Sequence, residues 1–216
     1  MPKRGQFIVL EGGEGVGKTT QIALLSGWMA QADIPHVTAR EPGGTPVGEA
    51  IREVVLGRAD LDVPPETELL LILAARAAFV RDVVKPALEA GKVVLADRFA
   101  LSTLAYQGYG RGLDLDQVRS GIEFATGGLR PDLYVVLDLS AEAGAARQRM
   151  AGTDPDRIER AGNSFLERVR EGYLTLAASE PGVAVLPAAG TAEEVHRRIR
   201  DLLRGRFPET FPGAVV

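Results

Sequence analysis

"FIVLEGGEGVGKTT", residues 7–20, is the stretch that decides the fold. The run Phe7–Glu11 is apolar up to its last residue and short enough for a buried strand, and apolar residues recur with helical spacing from residue 18. Between them, Gly12–Thr19 matches the G-x-x-x-x-G-K-T pattern of a phosphate-binding loop. A chance glycine-rich turn is the alternative, but a strand before the loop and a helix after it are the context that phosphate binding requires.

Each residue type in this loop has a physical role in holding phosphate. Glycines let successive backbone N–H groups face an oxyanion, and the helix that follows adds the positive end of its dipole. Lys18 reaches the outer phosphates, and the Thr19 hydroxyl is a ligand for magnesium. The loop therefore predicts a nucleoside triphosphate with Mg²⁺, held by Gly12, Gly13, Glu14, Gly15, Val16, Gly17, Lys18, Thr19 and Thr20.

Strand and helix patterns alternate along the rest of the chain. Short apolar runs typical of buried strands lie at 7–10, 34–39, 93–96, 133–139 and 183–186. Helical spacing predicts helices at 18–32, 46–58, 65–90, 100–108, 114–126, 141–150, 163–179 and 192–204. This alternation predicts an α/β doubly wound fold, in which a five-stranded parallel sheet is covered by helices on both faces.

Composition limits the class of protein. The chain has 216 residues, 45% of them hydrophobic, and no cysteine, which suits one globular domain and excludes disulfides and thiolate metal sites. A net charge of -4 does not favour nucleic acid or an anionic membrane, and no apolar run is long enough for a signal or a membrane span. We expect a cytoplasmic protein with a single P-loop domain at 1–206 and a loosely held tail at 207–216.

Three further segments carry side chains suited to chemistry. Asp97 and Arg98 follow the third apolar run and form either a structural ion pair or part of a metal and phosphate site. Arg76 lies inside the apolar helix 65–90 and therefore needs a partner. Arginines crowd 147–163, a break between two helices that is either a solvated hinge or a mobile flap over a phosphate-transfer site.

These segments together resemble the thymidylate kinase family. The resemblance covers almost the whole chain and rests on motifs in the family's order: FIVLEGGEGVGKTT, REPGGT, AAR, DRFALSTLAYQGYGRG, RPDLYVVLDL and DRIE. It implies a kinase that transfers the γ-phosphoryl group of ATP to dTMP, giving dTDP and ADP for dTTP synthesis. It also implies a homodimer, which agrees with helix 65–90, because a helix that is apolar nearly all round is either central or covered by a second subunit.

The resemblance assigns roles to the neighbours of the acceptor nucleotide. Glu14 matches an acidic residue that contacts the sugar 3′-hydroxyl, and Arg52 and Arg98 match ligands of the dTMP phosphate. Tyr106 matches a ring beneath the sugar that leaves no room for a 2′-hydroxyl. Asp97 matches a residue that helps to hold magnesium, directly or through water.

At the thymine end the sequence departs from the family. Arg76 matches the arginine that reaches O4 of thymine, but Ile72 stands where the family usually has a stacking Phe. Ile72 and Arg76 are four residues apart and share a helix face, and Phe79, roughly on that face, is a candidate substitute ring. The remaining acceptor contacts that the resemblance implies are Glu41, Pro42, Ser102, Thr103 and Gln107.

The family carries its transition-state arginine either in the phosphate loop or in the lid. Gly15 follows Glu14 here, and the lid segment 147–163 is rich in arginine, so the chain resembles the lid type. Such an arginine neutralises charge on the transferred phosphoryl group. The residues that the resemblance implies in catalysis are Lys18, Arg98, Arg149 and Arg157, with the lid arginine left open between the last two.

Two other functions stay open from the residues alone. A kinase for another pyrimidine nucleotide or for a deoxynucleoside is the enzymatic rival, because Ile72 weakens the case for thymine. A P-loop NTPase that acts as a switch is the other rival, but it leaves Arg76 and the DRFALSTLAYQG run without a role.

Overall fold

One parallel sheet organises the structure, a computed structural model that describes residues 4–152 and 156–212. Within these ranges the strands are β1 (Phe7–Glu11), β2 (His36–Arg40), β3 (Val93–Asp97), β4 (Leu133–Asp138) and β5 (Val183–Pro187). Their order across the sheet is β2-β3-β1-β4-β5, and every neighbouring pair is parallel. The predicted α/β doubly wound, five-stranded parallel sheet is confirmed.

Helices connect the strands and cover both faces of the sheet. They are α1 (Lys18–Gln31), α2 (Pro46–Arg52), α3 (Pro65–Phe79), α4 (Lys85–Glu89), α5 (Ala100–Thr103), α6 (Leu115–Thr126), α7 (Ala141–Met150), α8 (Asn163–Ser179) and α9 (Ala192–Arg206). Wider π-helical turns lie at Glu53–Gly57, Val80–Val84 and Leu104–Gly110, and a short 3-10 turn lies at Glu159–Ala161. None of the described helices is long and apolar enough to cross a membrane.

The central strand β1 shows why helices are needed on both sides. All five of its residues are buried, and successive side chains in a strand face opposite sides of the sheet. Ile8 and Leu10 pack in one cluster with Leu25 of α1, whereas Phe7 and Val9 pack in another cluster on the opposite face. A strand buried on both faces needs a continuous apolar run, and this is the pattern that the sequence has at 7–10.

The predicted helix 65–90 is present but is not one regular α-helix. α3 gives way to a π-helical turn at Val80–Val84 before α4 begins. Pro86 accounts for the irregularity, because proline has no N–H to donate and its ring crowds the carbonyl one turn earlier. Leu70 of α3 is 66% exposed, so part of this apolar helix is not covered within the described chain.

The last described residues of the chain, before residue 213, pack on the core. Phe211 is fully buried, and its ring stacks on Trp28 of α1 with the ring centroids 5.4 Å apart. This differs from the expectation of a loosely held tail at 207–216. The last four residues of that tail and residues 153–155 of the lid segment lie outside the described residues. The single-domain boundary expected before the tail stays a prediction.

The carboxyl ends of the strands bring two loops together. In the parallel pairing of β1 with β3, Leu10 lies opposite Asp97, so both strands end at the same level. Arg98 donates its backbone N–H to Leu10 O at 2.9 Å. The phosphate loop after β1 and the Asp97–Arg98 turn after β3 therefore lie side by side, at the edge of the sheet where ligands bind in open α/β folds.

Candidate active site

A cavity of about 1130 Å³ opens at the carboxyl edge of the sheet. The phosphate loop from Glu14 to Thr20 forms one part of its lining. A second part, here called the acceptor wall, carries Arg76, Arg98 and Gln107, and a third part is the turn at 190–192. Ordinary single-ligand pockets occupy roughly 300–1,000 Å³, so this cavity is slightly larger than the usual site for one ligand.

The glycines of the phosphate loop have the conformation that the motif predicts. Gly15 and Gly17 have φ of 67° and 95°, in the left-handed region that residues with a Cβ rarely adopt. A Cβ on Gly15 would also overlap the backbone of Gly144 in α7, which rests against the loop. This packing has no space for an arginine side chain at position 15.

Lys18 is a buried cation with uncharged partners. It is 7% exposed, and its Nζ donates to Gly12 O at 3.2 Å and to Gly13 O at 2.7 Å. Burial, followed by the charge of Arg98, lowers the pKa of Lys18 below its ordinary value. Both hydrogen-bond partners are neutral carbonyls, so a phosphate placed in the loop would gain a strong interaction with the ammonium group.

Thr19 and Asp97 supply oxygen ligands of the kind that Mg²⁺ prefers. Thr19 Oγ1 donates to Asp97 Oδ2 at 3.1 Å, so the two predicted metal ligands are neighbours beside the phosphate loop. Among the described residues, no group of three or more His, Cys, Asp or Glu is placed to hold a metal by itself. Magnesium commonly takes one or two protein ligands and fills its shell with phosphates and water, and this pair fits that arrangement.

Glu14, the acidic residue among the glycines, pairs with Arg98. The Arg98 guanidinium donates to Glu14 Oε1 and, at 3.0 Å, to Gly12 O. The Tyr106 hydroxyl donates to the same Glu14 oxygen at 2.6 Å. Burial acts to lower the pKa of Arg98, but Glu14, Tyr106, Tyr173 and Asp97 together outweigh it and hold the pKa well above its ordinary value. A cation and an anion are thus held together where the loop meets the acceptor wall.

The backbone at Arg98 has an unusual conformation. Its φ of 71° is rare for a residue with a side chain and persists only where the surroundings fix it. Glu11, fully buried, accepts the backbone N–H groups of Phe99 at 2.9 Å and Ser102 at 3.2 Å, and the Tyr173 hydroxyl at 3.0 Å. Burial raises the pKa of Glu11. The sequence analysis missed Glu11, marked only as a carboxylate that ends an apolar strand, and Tyr173, which no motif marks.

Arg52 lies on the same cavity as Arg98. Arg52 Nη1 donates to Pro42 O at 3.0 Å, and both residues line the cavity, as predicted. Burial, followed by repulsion from Arg40, lowers the pKa of Arg52, and the charge of Arg98 contributes in the same direction. Two arginines that repel each other across a cavity favour an anion between them, and a phosphate has the charge and the oxygens to accept from both.

Arg76 has its partners within the chain. It is 1% exposed, and it donates from Nε to Glu41 Oε2 at 2.8 Å and from Nη1 to Thr103 Oγ1 at 2.8 Å. Burial raises the pKa of Glu41 to about 7, although the charge of Arg76 opposes this shift. The sequence placed Glu41 in the wall of the acceptor site but did not identify it as the counter-ion of Arg76.

Comparisons with known proteins agree with this geometry. The family model described as "Thymidylate kinase" matches residues 10–199. The chain is 47% identical to the thymidylate kinase of Desulforudis audaxviator, over 97% of this chain and 96% of that protein. It is 48% identical to the thymidylate kinase of Synechococcus sp. (strain JA-3-3Ab), over 95% of this chain and 98% of that protein. The crystal structure of thymidylate kinase from Ehrlichia chaffeensis superposes with a TM-score of 0.75 at 29% identity, covering 93% of this chain and 99% of that one.

The chain belongs to the thymidylate kinase family. The resemblance stated from the motifs is therefore confirmed, and the DRFALSTLAYQG run that supported it forms the acceptor wall. Ile72, where the family pattern usually has an aromatic ring, lines the cavity beside Arg76. Phe79 does not replace that ring: it is 0% exposed and packs against Phe99 in the core, so the interpretation of Phe79 as a substitute is wrong.

A further buried carboxylate on the acceptor side is Glu68 of α3. Its side chain has no exposed surface, and it accepts from Gln107 Nε2 at 2.8 Å, from Arg111 Nη2 at 3.0 Å and from Arg157. The sequence analysis missed this residue. The available signal was a charged residue inside an apolar helix, the same feature that singled out Arg76.

The arginines of the lid segment face different partners. Arg157 forms an ion pair with Glu68 and donates from Nε to Val55 O at 2.7 Å. It does not line the cavity. Arg149 is exposed, and its side chain makes no hydrogen bond to any residue of the described ranges. Arg147, which the sequence analysis did not select, lines the cavity and donates to Ala188 O at 3.0 Å.

Most of the predicted site residues line the same cavity. They are Glu14, Gly15, Val16, Gly17, Lys18, Thr19, Thr20, Glu41, Pro42, Arg52, Ile72, Arg76, Asp97, Arg98, Ser102, Thr103, Tyr106 and Gln107. Gly12 and Gly13 lie behind the loop, where their carbonyls accept from Lys18. The rest of the lining includes Gly190, Thr191 and Ala192, which no recognised motif marks, and Arg147 and Gln148, which lie in the lid segment 147–163 but were not selected as site residues.

Proposed function

We propose that this chain transfers the γ-phosphoryl group of ATP to dTMP, giving dTDP and ADP. One observation carries the proposal: a single cavity, in a chain of the thymidylate kinase family, joins a phosphate loop to a wall that carries Arg52, Arg76 and Arg98. The loop suits the triphosphate of the donor nucleotide. The arginine pair Arg52 and Arg98 suits the phosphate of the acceptor nucleotide.

The donor end holds the triphosphate of ATP. Backbone N–H groups of the loop and the N-terminus of α1 bind the phosphate oxygens, and Lys18 adds a full positive charge. When Mg²⁺ is bound, with Thr19 and Asp97 as its protein ligands, it neutralises charge on the phosphates. The base of ATP then extends toward the wall that contains Arg147 and Thr191, because the other direction is taken by the acceptor.

At the acceptor end, dTMP is aligned when Arg98 and Glu14 exchange hydrogen bonds with each other for hydrogen bonds with the nucleotide. The dTMP phosphate replaces part of the contact between Arg98 and Glu14, and Arg52 binds the same phosphate. The Glu14 carboxylate then accepts from the sugar 3′-hydroxyl, with the Tyr106 ring beneath the sugar. The attacking phosphate oxygen is already anionic, so no side chain acts as a strong base, and rate acceleration comes from alignment and charge stabilisation.

We assign the transition-state arginine to Arg149 of the two sequence candidates. Its guanidinium has no partner among the described residues, whereas that of Arg157 is held by Glu68 and Val55 O. An arginine without such partners can reach the transferred phosphoryl group without first breaking an ion pair. Replacement of Arg149 by Ala should lower kcat by about 10³-fold with little change in the KM values, as expected for an arginine that acts only in the transition state.

The experiment that tests the function is phosphoryl transfer from ATP to a panel of acceptors. ADP release is followed with dTMP, dUMP, UMP, thymidine and no acceptor. The proposal predicts the highest kcat/KM with dTMP and negligible ADP release without an acceptor. Faster turnover of another pyrimidine nucleotide or of thymidine would favour the enzymatic rival, and acceptor-independent hydrolysis would favour a P-loop switch.

We also propose that the protein is a homodimer. Leu70 of α3 is 66% exposed and Phe124 of α6 is 92% exposed, and these two helices pack against each other. Two large apolar side chains on adjacent helices favour a shared interface with a second copy. Sedimentation equilibrium should give twice the chain mass at micromolar concentration, and Phe124→Asp should give the monomer mass; a wild-type monomer would contradict the proposal.

A further inference from the structure

Glu68 lies directly behind the acceptor wall. It is on α3, one helical turn before Ile72 and two turns before Arg76, both of which line the cavity. Its own side chain has no exposed surface and does not line the cavity. The carboxylate therefore acts on a bound ligand only through the groups that it holds, which are Gln107, Arg111 and Arg157.

One oxygen of Glu68 fixes the amide of Gln107. Glu68 Oε1 accepts from Gln107 Nε2 at 2.8 Å and from Arg111 Nε at 3.1 Å. Burial acts to raise the pKa of Glu68, but the hydrogen bonds from Arg111 and Gln107 outweigh it and hold the pKa below its ordinary value. An ionised carboxylate only accepts hydrogen bonds, so the amide nitrogen of Gln107 is committed to it and the amide oxygen is left as an acceptor.

The other oxygen of Glu68 fixes the segment that follows the lid. Glu68 Oε2 accepts from the guanidinium of Arg157, whose Nε donates to Val55 O at 2.7 Å. The backbone N–H of Arg157 donates to Leu56 O at 3.2 Å. Ile158, 6% exposed, packs in the same apolar cluster as Val55. This segment is therefore docked on the π-helical turn after α2 by two hydrogen bonds and the apolar contact of Ile158, and on α3 by the ion pair with Glu68.

We propose that Glu68 is a positioning residue that orients the Gln107 amide for recognition of the acceptor's base and, through Arg157, docks residues 156–158 beside the same site. The role rests on the proposed function, because Gln107 is one of the acceptor contacts that the resemblance implies, and it lines the cavity. It also reassigns Arg157, since the arginine that holds the segment in place is not the one that stabilises the transferred phosphoryl group.

The chemistry of the base explains why the orientation of one amide matters. Thymine carries a hydrogen on N3 and a carbonyl at C4, whereas cytosine has an unprotonated N3 and an amino group at C4. An amide oxygen held toward the base accepts from N3–H of thymine and meets a lone pair in cytosine. In Glu68→Gln the new amide can accept or donate, so Gln107 can adopt either orientation and the preference for thymine weakens.

Three variants test this role: Glu68→Gln, Glu68→Asp and Glu66→Gln. Glu66 is exposed on the same helix, so its substitution makes the same chemical change away from the cluster. In Glu68→Gln, the ratio of kcat/KM for dTMP to that for dCMP should fall by roughly fivefold or more. Glu68→Asp keeps a carboxylate, which only accepts hydrogen bonds, so its ratio should be closer to that of the wild type. The ratio for Glu66→Gln should equal the wild-type ratio.

Limited trypsin digestion measures the docking without any substrate. Cleavage after Arg157 should be several times faster in Glu68→Gln, because the arginine is no longer held, while cleavage after the exposed Arg149 should be unchanged and serves as the internal reference. An unchanged ratio of dTMP to dCMP, an unchanged cleavage after Arg157, or an equal loss in Glu68→Asp would each overturn the proposal. If the wild-type protein failed to phosphorylate dTMP, the proposed function would be overturned instead. The digestion would still measure the contact between Glu68 and Arg157.

If Glu68→Gln does not fold, the other residue of the ion pair, Arg157, is substituted instead. Arg157→Gln leaves Glu68 with Gln107 and Arg111 and removes only the docking contact. Amide hydrogen exchange in a peptide that spans residues 156–162 should then become several times faster than in the wild type. Exchange at the wild-type rate would overturn the proposal.

Discussion

The two ends of the cavity are built in different ways. The donor end is the backbone of one continuous segment, Gly12–Thr19, whose glycines permit the curve and whose lysine bonds to carbonyls of the same segment. The acceptor end is made of side-chain pairs from distant parts of the chain: Arg98 with Glu14, Arg76 with Glu41 and Arg111 with Glu68. Local sequence is therefore sufficient for the first end, whereas the second depends on how the whole chain packs.

The ends also differ in how their charges are matched. At the donor end the hydrogen bonds of Lys18 go to uncharged carbonyls, so an incoming triphosphate adds an interaction. At the acceptor end Arg98 already has Glu14 as a partner, so an incoming monophosphate exchanges one partner for another. Binding at the acceptor end is then a difference between two strong interactions, which favours selectivity over affinity.

The largest expected effect comes from the donor end. Lys18→Ala should reduce kcat by about 10³-fold, because it removes the only side-chain cation that the loop segment itself presents to the transferred phosphoryl group. The fold should persist, since the loop glycines and the burial of β1 do not depend on this side chain. A coupled ADP-release assay and thermal unfolding measure the two properties, with the exposed Lys92→Ala as control. Near-normal turnover would contradict the role of the loop as the donor site.

At the acceptor end, Arg98→Lys keeps the charge and removes the planar fork. One ammonium cannot reach Glu14, Gly12 O and the hydroxyls of Tyr106 and Tyr173 together, as the guanidinium does. We expect kcat/KM for dTMP to fall by about 10²-fold, with the KM for ATP changed far less. Arg81→Lys is the matched control, because Arg81 makes only an exposed ion pair with Asp82. Equal losses for ATP and dTMP would mean that Arg98 is not specific to the acceptor end.

These two residues also illustrate how much the sequence predicted. Lys18 follows from spacing alone, because the motif lies between a strand and a helix that its own neighbours determine. Asp97 and Arg98 were found as a pair at a strand end, but the sequence left open whether they were structural. Their placement beside the loop depends on the parallel register of β1 with β3, a contact between residues almost ninety positions apart that no local pattern encodes.

The buried carboxylates were harder to predict for a related reason. Glu11, Glu41 and Glu68 each stabilise groups that come from other segments, and their partners become evident only when helices and strands are packed. The helix 65–90 was predicted from its apolar pattern, yet its π-helical turn was not, because the pattern reports which residues are buried and not how the backbone hydrogen bonds are arranged.

A smaller effect is expected where α7 rests on the donor loop. A Cβ on Gly144 would overlap Glu14 O, so Gly144→Ala should displace the loop, lower kcat by about tenfold and reduce the free energy of unfolding by about 1–3 kcal/mol. Gly27→Ala in α1 is the matched control, because nothing lies within 4 Å of a Cβ there and alanine favours a helix by about 0.5–1 kcal/mol. If both variants gained stability, the contact between α7 and the loop would have no energetic weight.

The smallest effect concerns Glu41, at the far end of the acceptor wall, and appears as a dependence on pH. Burial raises its pKa in the native protein to about 7, above the value of 4.5 expected when the chain is unfolded. Between these pH values the native state keeps a proton that the unfolded state loses, so the stability contributed by this group is complete below 4.5 and is lost as the pH rises through 7. Urea unfolding at pH 5, 6 and 7 measures the free energies of the wild type and of Glu41→Gln.

Glu41→Gln cannot titrate, so the wild type should lose stability relative to it by at most about 1.4 kcal/mol per pH unit across this window. Glu49→Gln is a control of opposite sign, because the Gly44 N–H and Arg40 lower the pKa of the exposed Glu49, whose contribution is present above the unfolded pKa and lost only in more acidic solution. A pH-independent difference for Glu41→Gln would mean that Arg76 keeps its partner ionised throughout. Arg76 would then be paired with an ionised carboxylate at every pH tested, as Arg98 is paired with Glu14.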